Sequence, residues 1–368
     1  MLLHPVNAIY LKDIFNPKKN SLSFLRFFFA ALVIFSHCYP LGGFGSEGLF
    51  GSTKESYGSF AVHNFFILSG FLITRSYITS SSIWRFLWNR IIRILPGFWT
   101  CLIVTILVFA PIIYLNENSS LTGYFNSKTD NPLDYLKVNL FLEMRQYGIA
   151  NLLKDVPFPK AFNGSLWTLI YEFKCYLIIA VMGLMGILTK YKKIIIYLFL
   201  FLWLIYFIDT VIPGTASKIF PYFSDRSLLQ LLIFFLAGAT YFLFIETIVI
   251  SQRVFFLALG LTIISLKNDF YFLVAPLTLP YILFFLAFKL PLTNFDKYGD
   301  FSYGLYIYAF PVQQMLSFFK LNKNGFTLYF ILSILITMIL AVFSYYVIEK
   351  PCLKLKKGRI KAIEIMTQ

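Results

Sequence analysis

Arg26 and His37 stand eleven residues apart in the apolar run SLSFLRFFFAALVIFSHCYPLGG, residues 21–43. A helix turns about 100° per residue, so eleven positions return both side chains to one face, about 16 Å apart along the axis. A guanidinium on that face offers an anion-binding group. An imidazole offers a base whose unperturbed pKa lies near neutrality, able to take a proton from a hydroxyl or to become acylated itself. Two more arginines, Arg90 and Arg93, are spaced i,i+3 in RFLWNRIIRILPGFW (85–99), on a short helix expected to precede Pro96. Their planar guanidinium forks suit phosphate groups. Glu172 interrupts the apolar segment NGSLWTLIYEFKCYL (163–177), and its partner is expected on another helix, because Glu172 and Lys174 do not face each other.

The elements that must position these groups are membrane helices. Hydrophobic residues make up 58% of the 368 positions and charged residues only 13%, with a mean hydropathy of +0.73. No water-soluble core accommodates that much apolar surface. With about 20 residues per crossing, spans are expected near 22–39, 59–78, 95–115, 165–188, 194–212, 227–247, 253–266, 270–288, 301–319 and 326–348. The fold class is therefore all-α, a polytopic bundle of about ten transmembrane helices. The chain reads as one integral membrane domain over 1–368, its core at about 20–351, with no further soluble domain at the C-terminus. Cys38, Cys101, Cys175 and Cys352 show no paired spacing, so neither a disulfide framework nor a metal site is expected.

The net charge of +15 and pI near 9.5 follow topology. Lys12, Lys18 and Lys19 precede the first span, Arg75, Arg85, Arg90 and Arg93 join the second to the third, and Lys190, Lys192 and Lys193 join the fourth to the fifth. Lys350, Lys354, Lys356, Lys357, Arg359 and Lys361 follow the last. The 40–58 loop carries Lys54 against Glu47 and Glu55, and the 116–164 loop balances five basic against five acidic residues. Basic loops favour the cytoplasm, so both termini are expected there and nucleic acid is not an expected partner.

Ionisable groups inside a span are costly and mark functional sites by default. The competing readings are ordinary: Arg26 snorkelling to headgroups, His37 and His63 at the outer boundary, Arg90 and Arg93 as topology signals, Glu172 in a structural ion pair. The segment AVHNFFILSGFLITRSY (61–77) places Ser69-Gly70 within a span, a small-residue break that permits close approach. Ser69, Trp167 and Tyr303 are the candidate substrate contacts, although aromatic residues such as Trp167, Tyr303 and Tyr306 more often pack or sit at the interface.

These segments, followed by GDFSYGLYIYAFPVQQ (299–314) and SYYVIEKP (344–351), resemble in order and spacing the membrane acyltransferase family 3, whose members O-acylate bacterial surface carbohydrates. The resemblance covers about 20–351. It implies a ten-helix core, an essential first-span histidine at His37, an arginine pair on the acyl-CoA side at Arg90 and Arg93, and location in the bacterial inner membrane. The donor it implies is acetyl-CoA or another acyl-CoA, and the acceptor a surface polysaccharide or lipid-linked sugar; membrane lipid is the surrounding partner, and the oligomeric state stays open. Arg26, His37 and Glu172 are the catalytic candidates. Ala309 stands where many members carry histidine, and His63-Asn64 where many carry an acidic residue. The alternative function is a transporter or flippase for a lipid-linked sugar, against which stand the absence of an internal repeat and the concentration of ionisable residues in the first four spans.

Overall fold

A computed structural model describes residues 8–356 except 50, 51, 53, 220 and 222–224. Lys357, Arg359 and Lys361 of the expected basic tail lie outside the described residues. The principal helices are α1 (Leu22–Gly42), α2 (Tyr57–Ile78), α3 (Ile83–Asn118), α4 (Ser165–Leu184), α5 (Lys193–Val211), α6 (Arg226–Leu243), α7 (Gln252–Lys267), α8 (Tyr271–Lys289), α9 (Ser302–Phe318) and α10 (Phe326–Lys356). Eight of them are long and apolar enough to cross a membrane; α7 and α9, with 16 and 17 residues, are slightly shorter. No strand forms among the described residues, beyond one isolated bridge between Tyr10 and Val249. The protein is an all-α, multi-pass membrane bundle.

Two expected boundaries differ. Pro96 does not end the helix that carries the arginine pair: the backbone stays helical from Ile83 through Pro96, passes a π turn at Thr105–Phe109 and continues to Asn118. A proline inside a span is tolerated where neighbouring groups compensate for the lost hydrogen bond. Likewise α1 runs through Pro40 to Gly42, so the outer loop begins later than the sequence suggests.

The chain forms two compact units. One comprises 1–29, 48–86 and 174–298; the other comprises 30–47, 87–173 and 299–368.

In the first unit, α2 is capped at its start by Ser56 and Ser59, each side chain accepting from the other's backbone N–H. Its Ser69-Gly70 break meets α6 backbone to backbone. A Cβ on Gly70 would lie 1.9 Å from the Phe235 carbonyl oxygen, and one on Gly238 would lie 1.9 Å from that of Ile67. In lipid, where burial of apolar surface gives no drive for helices to associate, such close approach supplies the packing. Phe71 then sits against Phe15, Phe242 and Phe284. The second unit contains α9, α10 and the long 119–164 segment. That segment folds onto α3: Tyr124 donates to the Ile106 carbonyl in the π turn, and Trp99 donates to the Leu140 carbonyl.

Candidate active site

The second unit places His37 on the C-terminal half of α1, facing α9. Its ring meets Phe310 edge-on at 5.4 Å. Nδ1 is buried and has no hydrogen-bond partner among the described residues. Phe310 is packed from several sides, by Phe158 at 5.7 Å and by Leu41 and Ala161. Gly164, in the Asn-Gly-Ser-Leu-Trp segment, leaves room for that ring: a Cβ there would lie 2.6 Å from Phe310 Cε2.

Two residues that the sequence did not single out organise this region. Gln313 and Gln314 are fully buried on α9. Gln313 Nε2 donates to the Ile34 carbonyl (2.9 Å) and to Cys38 Sγ (3.2 Å), gripping the turn of α1 that carries His37. Gln314 Nε2 donates to the Phe158 and Ala161 carbonyls at 2.7 and 2.6 Å. Ser317 caps the Leu41 carbonyl and Asn322 the Gly42 carbonyl at the end of α1. Next to His37, the Ser36 hydroxyl donates to Glu47 and draws the following loop back onto the helix. Two consecutive amides in an apolar span were a legible signal, because buried polar groups in lipid must be paired or functional.

The start of α4 is pinned to α9. Asn163 donates to the Ile307 carbonyl (2.8 Å) while its own oxygen receives the Ser165 N–H. Tyr306 donates to the Ser165 carbonyl (2.7 Å) and meets Thr168 at 2.5 Å. Trp167 is 37% exposed and packs edge-on against Tyr171. Glu172, half-buried one turn further along α4, lies within electrostatic reach of Tyr303 and Tyr306.

Arg93 has a different setting from the one its motif suggests. Its guanidinium lies 2.9 Å from Asp300 and 3.6 Å from Glu349, and Glu349 is almost wholly buried. Asp300 also accepts from the Ser302 hydroxyl and N–H at the start of α9. Tyr303 lies beneath the guanidinium at 5.8 Å and donates to the Ile94 carbonyl. The Arg-x-x-Arg, Gly-Asp-Phe-Ser-Tyr-Gly and Val-Ile-Glu-Lys-Pro segments thus meet in one ion network. Arg90 is half-buried one turn earlier on α3. Arg26 and Ser69 belong to the first unit, as does His63, which stacks on Phe234 at 4.3 Å and meets the Tyr271 hydroxyl at 3.2 Å. Among the described residues, no group of three His, Cys, Asp or Glu could hold a metal ion.

Glu349→Ala is expected to lower the stability of the protein by about 3–5 kcal/mol, because it removes a partner from a buried ion network. The measure is loss of monodisperse protein on heating in detergent. Stability equal to wild type would show that Asp300 alone suffices for Arg93.

A bundle of apolar membrane helices that holds a half-buried histidine, its Nδ1 without a hydrogen-bond partner among the described residues, is an arrangement suited to acyl transfer. Residues 19–346 match the acyltransferase domain family, and the chain belongs to that family. It is 29% identical to a Shigella phage Sf6 protein named O-acetyl transferase, across 90% of this chain and 96% of the relative. It is 26% identical to a Rhizobium leguminosarum bv. viciae protein named Nodulation protein 10, across 93% and 95%. No solved structure matches it. The enzyme is a membrane O-acyltransferase.

Proposed function

We propose that the enzyme moves an acetyl group from cytoplasmic acetyl-CoA to a hydroxyl of a surface polysaccharide or lipid-linked sugar, in a bacterial cytoplasmic membrane with both chain termini inside. The observation that carries this reading is His37: a half-buried imidazole with an unpartnered nitrogen, on a helix turn held from α9. His37 takes the hydroxyl proton as the sugar oxygen attacks the thioester carbonyl. The C–O bond forms, the C–S bond breaks, and the proton passes to the leaving CoA thiolate. The name of the phage relative supports acetyl as the group moved. Arg90 holds a donor phosphate, with Arg93 set beside it by its two carboxylates. Glu172 contributes its charge near Tyr303 and Tyr306, and Trp167, the most exposed of the three candidate contacts Ser69, Trp167 and Tyr303, meets the acceptor.

The test is release of free thiol from acetyl-CoA by the purified protein, together with mass spectrometry of surface glycans from strains with and without the gene. Absence of both thiol release and any change in glycan O-acylation would overturn the reading. Arg90→Lys keeps the charge that orients the helices yet loses the bidentate fork. It is expected to weaken acetyl-CoA binding about tenfold, the lower end of what a charge-assisted contact contributes. Arg93→Lys is expected to act mainly on thermal stability. Calorimetric titration beside a melting curve separates the two, and the reverse pattern would exchange their roles. For orientation, a cysteine placed at the exposed Ser120 is expected to react with an impermeant thiol reagent in intact spheroplasts. Labelling only after permeabilisation would invert the topology.

A further inference from the structure

The first unit contains a cavity of about 330 Å³ whose walls include Lys18, Arg26, Arg75, Asn20, Ser23 and Asp296. It lies on the strongly basic side of the helices, at the beginning of α1 and the end of α2. Phe15, Leu22 and Leu72 contribute apolar lining. Arg75 lies over the Phe15 ring at 5.5 Å, and Phe15 is fixed edge-on against Phe71 and Phe288. The start of α1 is braced as well: Ser21 bonds the Ala287 and Leu290 backbones, and the Ser23 hydroxyl donates to Asp296 at 2.9 Å.

Three cations against one carboxylate leave the cavity positive. The start of α1 adds to this, because Leu22 and Ser23 line the cavity and the first turn of this 21-residue helix holds no acidic residue. The positive end of a long helix, together with two guanidinium groups and an ammonium, is a setting for a phosphate. We propose that this cavity is a phosphate-ester binding site, separate in sequence from the Arg90–Arg93 pair. Arg26 and Arg75 grip the phosphate oxygens. Lys18, at the exposed rim, neutralises a second charge, and Asp296 tunes the site against anions bound too tightly to leave. The phosphate belongs either to the acyl donor, an assignment that rests on the proposed use of acyl-CoA, or to the headgroup of an anionic lipid, which does not.

The experiment uses the full chain in nanodiscs of phosphatidylcholine, titrated calorimetrically with CoA, and in discs containing phosphatidylglycerol, with lipid retention read by native mass spectrometry. Two variants are compared, the double change Lys18→Gln, Arg75→Gln and the single change Asp296→Asn. If the cavity takes the donor, the double variant weakens CoA binding by about tenfold to a hundredfold, and Asp296→Asn tightens it severalfold. If it takes lipid, CoA affinity stays level while phosphatidylglycerol retention falls in the double variant and rises in Asp296→Asn. Tighter binding cannot come from misfolding, so these opposite signs identify a phosphate site. Unchanged binding of both anions, or changes of the same sign in both variants, would overturn the proposal. A wild-type protein that binds no acyl-CoA in either disc overturns the donor reading of the enzyme, while the lipid measurement still decides the cavity.

Discussion

Replacement of His37 by alanine is expected to reduce acyl transfer by about 10²–10⁴-fold, the contribution of a positioned general base, with the protein still folded and inserted. Folding should survive because the grip of α9 on this turn does not pass through the imidazole: Gln313 holds the Ile34 carbonyl and Cys38, and Ser317 holds the Leu41 carbonyl. The ring contact given up is the edge-on packing against Phe310. Thiol release from acetyl-CoA, measured beside size-exclusion behaviour, separates lost chemistry from lost structure. Transfer at the wild-type rate would remove His37 from the mechanism. His37→Gln, which keeps much of the volume, should be equally inactive, since an amide is no base at neutral pH.

The largest structural effect is expected from a single methyl group. Gly70→Ala places a Cβ against the Phe235 carbonyl, and Gly238→Ala places one against Ile67, each at a separation of 1.9 Å that atoms do not tolerate. Backbone atoms cannot swing aside as a side chain does, so α2 and α6 must part along the crossing. Overpacking that side chains can absorb costs about 1–3 kcal/mol; a backbone collision should exceed that and leave little folded protein. Gly260→Ala is the internal comparison. This glycine lies in α7 with nothing within 4 Å of its would-be Cβ, and there alanine should be neutral or gain about 0.5–1 kcal/mol of helix preference. Comparable yields of the Gly70 and Gly260 variants would show that the helices accommodate the methyl by sliding.

These two sites differ in how far the sequence revealed them. The all-helical membrane character was plain from apolar runs long enough to cross lipid, and the Arg26–His37 spacing gave the expectation of one polar face on α1. Ser69-Gly70 was visible as a break, yet its partner Gly238 lies 168 residues on, in a helix whose glycine carries no local signal of its own. Pro96 misled, because proline is read as a helix stop and nothing local announces that a helix will pass through it. The setting of Arg93 was hidden for a related reason. Its carboxylates come from Asp300 and Glu349, and only the folded bundle brings them to one place. Gln313 and Gln314 carry no charge and so stand out less in an apolar span than Arg26 or Glu172, although a buried amide is subject to the same rule.

The π turn at Tyr345–Glu349 gives the ion network an unusual dependence on chain length. A π turn accommodates one residue more than the α-helix would, and Glu349, its last residue, is the one that meets Arg93. Deleting one residue from 345–348 would let the turn relax to α geometry with little change in the direction of Glu349, whereas a deletion in the α-helical part of α10 ahead of it would carry Glu349 about 100° around the axis, away from the guanidinium. Substitutions in the same stretch preserve the count and leave the carboxylate where it is. The stability of this corner thus depends on the residue count ahead of the turn as well as on the kinds of residue in it, while the turn itself can give up one residue and keep the carboxylate facing Arg93.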